Sequence, residues 1–287
     1  MIPTILPEAK LGSSHPVLSA SSTAVGAQLR SVTFGLPLYL TSPGRLSIHA
    51  MDTAAGGSLV VQSADTASRL FPIAHLSRIV SSLRHNWDGA ALTLCLRSSV
   101  PVIFIENGRG LAGWLSTANP APTRLAALLQ ELLSLYEWSN IYSNWLRAER
   151  NRALRAWPRT AFPGDFVTES EDRKRFVYQA GSAATPPVPE LWNVASLALA
   201  IQTLHAAGLD AIYAGSDGRM LNLAHDCSNI LALHLVPYAD GLIGTLQGAE
   251  ELLLHGFESR SAELSVALFA ALGRLHRLCV QEMNQCR

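Results

Sequence analysis

Charged residues are scarce in this chain of 287 residues, of which only 15% are Asp, Glu, Lys or Arg. Soluble domains usually carry about a quarter, so we expect another subunit to cover part of the surface. The 22 basic and 22 acidic residues cancel, so no global charge indicates a nucleic-acid partner. Lysine is nearly absent, with only Lys10 and Lys174. The arginines that replace it suit phosphate binding, although base composition of the coding DNA would give the same bias.

Cysteine pairs at metal-binding spacing are also missing. None of Cys95, Cys227, Cys279 and Cys286 forms a CxxC motif, so no zinc site is predicted, and the pattern suits a reducing cytoplasm. The N-terminal residues lack a charged segment followed by an apolar block, so we expect no signal peptide. The most apolar stretch, residues 193–209, is interrupted by polar side chains and predicts a buried helix rather than a membrane span. We therefore expect a cytoplasmic protein without membrane contact.

The order of sequence patterns predicts an α+β fold. Residues 1–30 are rich in Ser, Ala, Pro and Gly and are typical of a flexible arm. Short strand patterns with turns fill residues 31–117, which we predict to be a β-rich dimerisation domain. After the breaker "ANPAP", apolar residues follow helical spacing across 123–157, at 190–208 and from 226 onward. Residues 118–287 are therefore predicted to form an all-α domain that carries the functional site.

Candidate functional residues lie in two places. Asp217, His225 and Asp226 fall in a short connection between predicted helices, and carboxylate oxygens are the ligands that Mg²⁺ prefers. Asp226 would alternatively cap the helix that follows it. The second place is a run of arginines at helical spacing, which would contact DNA phosphates or form a solvated helix face paired with Glu149. The run consists of Arg147, Arg150, Arg152, Arg155 and Arg159.

Several phrases, in this order, resemble the CRISPR-associated spacer-acquisition integrase, the "Cas one" family. They are "LPLYLTSPGRLSIHAM", "FPIAHLSRIVSSLRHNWDGAALTLCLRSSVPVIFIENGRGLAGWL", "WLRAERNRALR", "NVASLALAIQTLHAAGLDAIYAG" and "GRMLNLAHD". The resemblance covers roughly residues 34–235. It implies a homodimer that associates through the β-rich domain, a partner called "Cas two", double-stranded prespacer DNA and a Mg²⁺ or Mn²⁺ ion. The implied reaction joins the 3′-hydroxyl ends of the prespacer to the CRISPR array.

The resemblance also assigns site residues, and here the chain departs from the family. The family aspartate corresponds to Asp226, which is the expected catalytic residue and metal ligand. At the family histidine the chain has Ser216 or Asp217, and Asp217 as a ligand in place of imidazole would favour Mg²⁺ over Mn²⁺. The family glutamate has no counterpart on a clear helix, which leaves Glu169 or Glu171, alternatively read as part of a solvated loop.

The sequence allows three hypotheses about function. The chain is a metal-dependent DNA integrase or endonuclease, or it is a catalytically impaired homologue that acts as a dimeric DNA-binding or scaffold subunit. The mismatch at two of three ligand positions favours the impaired homologue. The third hypothesis is a scaffold without any nucleic-acid role, which the neutral net charge would allow.

Overall fold

The computed structural model describes residues 35–41, 45–52, 57–63, 66–106, 110–117, 123–157, 174–178, 186–239 and 250–285. Strands dominate the first part and helices the second, so the α+β prediction is confirmed. The predicted N-terminal arm, residues 1–30, lies outside the described residues, and the division into domains stays a prediction. In the part of the chain that is described, none of the helices is both long and apolar enough to cross a membrane.

Two four-stranded sheets and one hairpin make up the β structure. Sheet I has the strand order β1-β5-β7-β8, with β1, β5 and β7 parallel and β8 antiparallel to β7. Sheet II has the order β4-β3-β2-β6, and β9 and β10 form a separate antiparallel hairpin. The strands are β1 Leu36–Leu40, β2 Leu46–Met51, β3 Ser58–Ser63, β4 Thr66–Pro72, β5 Leu76–Ser82, β6 Asn86–Trp87, β7 Val102–Glu106, β8 Gly110–Leu115, β9 Ile212–Ala214 and β10 Met220–Asn222.

Seven helices are bounded within the described residues, and the short segment 174–178 is also helical. The helices are α1 Gly89–Arg97, α2 Arg124–Ser134, α3 Trp138–Arg155, α4 Glu190–Ala206, α5 Leu223–Ala239, α6 Glu250–Glu258 and α7 Ser261–Gln285.

Alternation along sheet I explains how one sheet serves two cores. Successive side chains of a strand point to opposite faces. Leu38 and Leu40 therefore enter the core shared with sheet II and α1, whereas Tyr39 between them enters the core formed with the helices. Ile79 and Val80 on β5 divide in the same way. The β-rich and helical parts thus share a continuous apolar interface.

Helix α4 lies at the centre of the helical part. It packs against β5 of sheet I and against α5, α6 and α7. A helix surrounded in this way needs apolar residues on all sides, which is why its sequence shows little amphipathic periodicity. It ends at Ala206, and Gly208 follows with φ +71°, a backbone conformation that glycine adopts without strain. The predicted helix end before Gly208 is confirmed.

The predicted helical stretch at 123–157 is interrupted. Leu135 adopts extended φ and ψ angles, and the chain forms two helices, α2 and α3, instead of one. Tyr136 at the junction is 97% exposed, whereas Trp138 just after it is buried. The break therefore lets α2 and α3 bury different faces in the same core, which a single straight helix would not allow.

Candidate functional site around Asp226

The hairpin β9–β10 delivers the chain to the N-terminus of α5. Met220 pairs with Ala214 and Asn222 with Ile212. The side-chain oxygen of Asn222 accepts a hydrogen bond from the backbone N–H of His225 at 3.0 Å. Asn222 therefore caps α5, because an N-cap side chain accepts from the third helical N–H. The alternative in which Asp226 caps this helix is wrong, since Asp226 already lies inside the first turn.

Asp226 interacts with α3 instead of with its own backbone. The hydroxyl of Tyr142 donates a hydrogen bond to Asp226 Oδ2 at 3.0 Å. Burial raises the pKa of Asp226, and the Tyr142 hydrogen bond together with the charges of Arg150 and His225 opposes this shift only in part. Burial, and then the negative charge of Asp226, raises the pKa of Tyr142 well above its ordinary value. Tyr142 is therefore a hydrogen-bond donor that fixes the carboxyl group.

Arg150 is the cation that acts on this pair. It lies on α3, eight residues after Tyr142, and is half-buried. Burial lowers the pKa of Arg150, whereas the negative charges of Asp226 and Tyr142 raise it. A partly desolvated guanidinium thus lies within electrostatic reach of the Asp226 carboxyl. His225 is exposed.

Glu149 forms a second buried centre one residue before Arg150. Its side chain is 2% exposed and receives hydrogen bonds from Arg274 of α7, at 2.8 and 3.1 Å from Nε and 2.7 Å from Nη2. Arg152 Nη1 donates a further bond to the same carboxylate at 2.5 Å. Glu149 is therefore held by two arginines, and it ties α3 to α7.

The predicted arginine face is only partly assembled. Arg147 and Arg155 are exposed on α3, and Arg147 donates to the side-chain oxygen of Asn144 at 3.3 Å. Arg152 is engaged by Glu149, in line with the alternative of an ion-paired helix face. Arg159 lies outside the described residues. The assignment of this group to DNA binding stays a prediction.

The expected metal ligands are not gathered around Asp226 in the described structure. Asp217 is in the hairpin turn, where its side chain accepts from the backbone N–H of Arg219 at 3.0 Å and pairs with the Arg219 guanidinium at 3.5 Å. Glu169 and Glu171 lie outside the described residues. Among the residues that the structure describes, no three His, Cys, Asp or Glu side chains come together as a metal site would require.

Tyr142 and Arg274 were not predicted from the sequence, and Glu149 was predicted only as the partner of an arginine on a solvated helix face. Tyr142 and Glu149 are seven residues apart, which places them on the same face of α3. This face also carries the buried Trp145. The position of Glu149 on the same helix face as Tyr142 and Trp145 was the sequence signal that could have predicted a buried ion pair.

The similarity of this chain to known proteins lies in its fold and not in its sequence. No family model matches the sequence, and no curated protein sequence matches it. Among solved structures, a Cas1 protein from Thermotoga maritima matches with a TM-score of 0.59 and 13% identity, over 84% of this chain and 96% of that one. TtCas1 in a complex with DNA matches with a TM-score of 0.51 and 14% identity, over 86% and 90% of the two chains. A casposase bound to its integration product matches with a TM-score of 0.56 and 12% identity, over 85% and 91%.

By fold, the chain is similar to a class of proteins that includes a casposase bound to its integration product. More narrowly, it has the fold of Cas1 proteins along most of its length, so the resemblance noted in the sequence is confirmed for the fold. The low identity agrees with a strongly divergent sequence.

Proposed function

We propose that this protein is an integrase-like DNA-binding subunit of CRISPR spacer acquisition. The observation that carries the proposal is the Cas1 fold over most of the chain, which is shared with TtCas1 in a DNA complex and with a casposase bound to an integration product. A fold alone does not determine chemistry, so the role of the site must be argued from its residues. Following the resemblance, we also propose a homodimer and a "Cas two" partner.

The DNA contact is assigned to the arginines of α3, the helix that contacts Asp226 through Tyr142. Arg147 and Arg155 are exposed, and Arg150, between them in the sequence, is half-buried. Because the net charge of the whole chain is zero, attraction to DNA must come from such local groups. Arginine and lysine contacts to phosphate supply most of the affinity of sequence-independent DNA binding and make it sensitive to salt.

Integration chemistry would need a divalent cation, and the described residues do not fit one. Mg²⁺ or Mn²⁺ would polarise the scissile phosphate when bound, and such ions require several oxygen ligands. Asp226 offers one carboxyl, and its pKa is raised by burial. Glu149 is already occupied by Arg274 and Arg152. The described residues therefore lack the ligand set that a metal-dependent step would need.

Integration needs a cation that the described residues do not fit, and this leaves two versions of the proposed function. An active integrase would need a further carboxylate, for which the candidates are Glu169 and Glu171. A non-catalytic subunit would hold DNA or an active paralogue and would need no further ligand. The pairing of both described acids with protein donors favours the non-catalytic subunit.

A half-site integration assay distinguishes the two versions. It combines labelled prespacer, a CRISPR-array plasmid, the partner subunit and Mn²⁺, with a gel shift of the same prespacer run in parallel. We expect a gel shift without integration product. Product that disappears in Asp226→Ala would establish the catalytic version, and an absence of any gel shift at low salt would overturn the proposed function.

Arginine variants test the assigned surface. Arg147→Ala combined with Arg155→Ala removes two phosphate contacts, so the slope of log affinity against log salt should become shallower by about 1.8. Arg45→Ala with Arg97→Ala removes the same charge from exposed positions of the β-rich part and should leave the slope unchanged. Equal slopes for the two double variants would contradict the assignment to α3.

A further inference from the structure

Each acid of this centre accepts a hydrogen bond from another side chain of the protein. Asp226 receives the Tyr142 hydroxyl and feels the charge of Arg150, and Glu149 receives the guanidinium groups of Arg274 and Arg152. We infer that the Asp226 centre takes a DNA phosphate without a divalent cation, with Arg150 as the positive group that anchors the phosphate. The inference rests on the proposed function and specifies how that site binds DNA.

Arg150 has the chemistry that this role requires. A guanidinium is always charged, is more weakly hydrated than an ammonium group, and presents a planar fork that matches two phosphate oxygens. Arg150 is half-buried, so its charge is less screened than that of the exposed Arg147 while part of its surface faces solvent. The Asp226 carboxyl is more than a salt-bridge distance away, because no contact within 4.0 Å joins the two side chains in the described structure. The Arg150 guanidinium therefore has no carboxylate partner within 4.0 Å among the described residues.

The buried groups nearby do not supply the missing cation ligands. Cys227, which follows Asp226, is buried in the core of the helical part. Its sulfur is a soft ligand, whereas Mg²⁺ and Mn²⁺ prefer oxygen ligands. Glu149 would become available only if its bonds to Arg274 and Arg152 were broken.

The inference predicts that Asp226→Asn changes DNA affinity in the direction opposite to that expected for a metal centre. If Asp226 held a cation that bridges to DNA, Asp226→Asn would weaken DNA binding. If Arg150 anchors the phosphate directly, Asp226 is a negative neighbour of that phosphate, so Asp226→Asn should strengthen DNA binding. The Asn side chain keeps the size of Asp and an oxygen that accepts from the Tyr142 hydroxyl.

The experiment is fluorescence anisotropy with a labelled DNA duplex, in EDTA and again in Mn²⁺, using the full chain. We expect the unaltered protein to have the same dissociation constant for DNA in both solutions. Asp226→Asn should lower this dissociation constant several-fold. Arg150→Ala should raise the dissociation constant about ten- to hundredfold, since hydrogen bonds to charged groups contribute about 1.5–3 kcal/mol and about 1.4 kcal/mol is a factor of ten. Its salt slope should become shallower by about 0.9. Arg150→Lys, which keeps the charge and loses the fork, should give an intermediate constant.

Arg97→Ala is the matched control, because it removes one exposed arginine from α1 and should not change the dissociation constant. Binding of Mn²⁺ is measured separately, from the free-ion signal in electron paramagnetic resonance. DNA binding that requires Mn²⁺, or saturable Mn²⁺ binding that is lost in Asp226→Asn, would overturn the inference and leave the proposed function standing. Absence of DNA binding in both solutions would instead refute the proposed function itself. Circular dichroism of each variant excludes misfolding as the cause of a loss.

Discussion

Replacing Glu149 with glutamine removes the charge that Arg274 and Arg152 share, and the structure allows the cost to be worked out. The Glu149 side chain is 2% exposed and that of Arg274 is 28% exposed. Removing one partner of a buried ion pair costs about 3–5 kcal/mol, because the other charge stays desolvated. Arg152 is 51% exposed, so its bond contributes only about 0–1 kcal/mol. The glutamine oxygen still accepts one N–H, so we expect Glu149→Gln to lower the free energy of unfolding by about 3 kcal/mol.

Equilibrium unfolding in urea, followed by far-ultraviolet circular dichroism and tryptophan fluorescence, measures this loss. Trp145, buried on the same face of α3, reports on the packing around Glu149. Arg152→Ala serves as the control and should cost no more than about 1 kcal/mol. In Arg274→Met the buried Glu149 charge keeps only the exposed Arg152 as a partner, so the double variant Glu149→Gln/Arg274→Met should be more stable than the sum of the single losses predicts.

Two results would refute this reasoning. The first is a cost of Glu149→Gln no larger than that of Arg152→Ala, which would mean that the buried pair is solvated in solution. The second is strict additivity of Glu149→Gln and Arg274→Met, which would mean that the two side chains do not interact. Either result would also remove the argument that Glu149 is unavailable to a metal.

Two further predictions concern the β-rich part. Arg78 of β5 is 3% exposed and pairs with Glu258 of α6 at 2.5 Å. Arg78→Met should therefore lower the free energy of unfolding in urea by about 3–5 kcal/mol, and Arg78→Met/Glu258→Leu should lower it clearly less. Equal costs for the two variants would contradict the pairing. Asp88 caps α1 by accepting from Ala91 N–H at 2.5 Å, so Asp88→Ala should cost about 1 kcal/mol at neutral pH. That hydrogen bond, with a smaller contribution from His49, lowers the pKa of Asp88. The charge of Asp88 therefore stabilises the fold above the unfolded-state pKa of about 3.9, and this stabilisation is lost as pH falls through the folded-state pKa. Asp88→Asn should keep the cap and reduce the loss of stability between neutral and acidic pH, and an unchanged acid profile would contradict this assignment.

The arrangement of strands and helices could be predicted because it follows local patterns. The run "PVIFIE" at 101–106, one of the strand patterns within 31–117, is typical of a buried strand and forms β7 between β5 and β8. The apolar stretch within 193–209 predicted a buried helix and forms most of α4. The break between α2 and α3 could not be predicted, because Leu135 and Tyr136 carry no helix-breaking signal. Their backbone follows from packing of the two helices in one core.

The candidate site was predictable only in part, for a related reason. Asp226 was found by its position in a motif, whereas its hydrogen-bond donor, Tyr142, lies 84 residues earlier in the chain. Arg274 lies 125 residues after its partner Glu149. Neither spacing produces a local pattern. The charged groups that decide whether a cation is needed are therefore visible only once the helices have been placed.

The arginine bias has a structural explanation besides DNA binding and base composition. Arg78 and Arg274 each bond a carboxylate that is mostly shielded from water, on Glu258 and Glu149 respectively. A guanidinium suits such positions better than an ammonium group, because it is more weakly hydrated and makes several directed bonds at once. Lysine at position 274 would keep the charge and lose the paired bonds to Glu149. The bias as a whole is therefore weak evidence for DNA binding, and the assignment rests on the arginines of α3 that lack such a buried carboxylate partner among the described residues, chiefly Arg150.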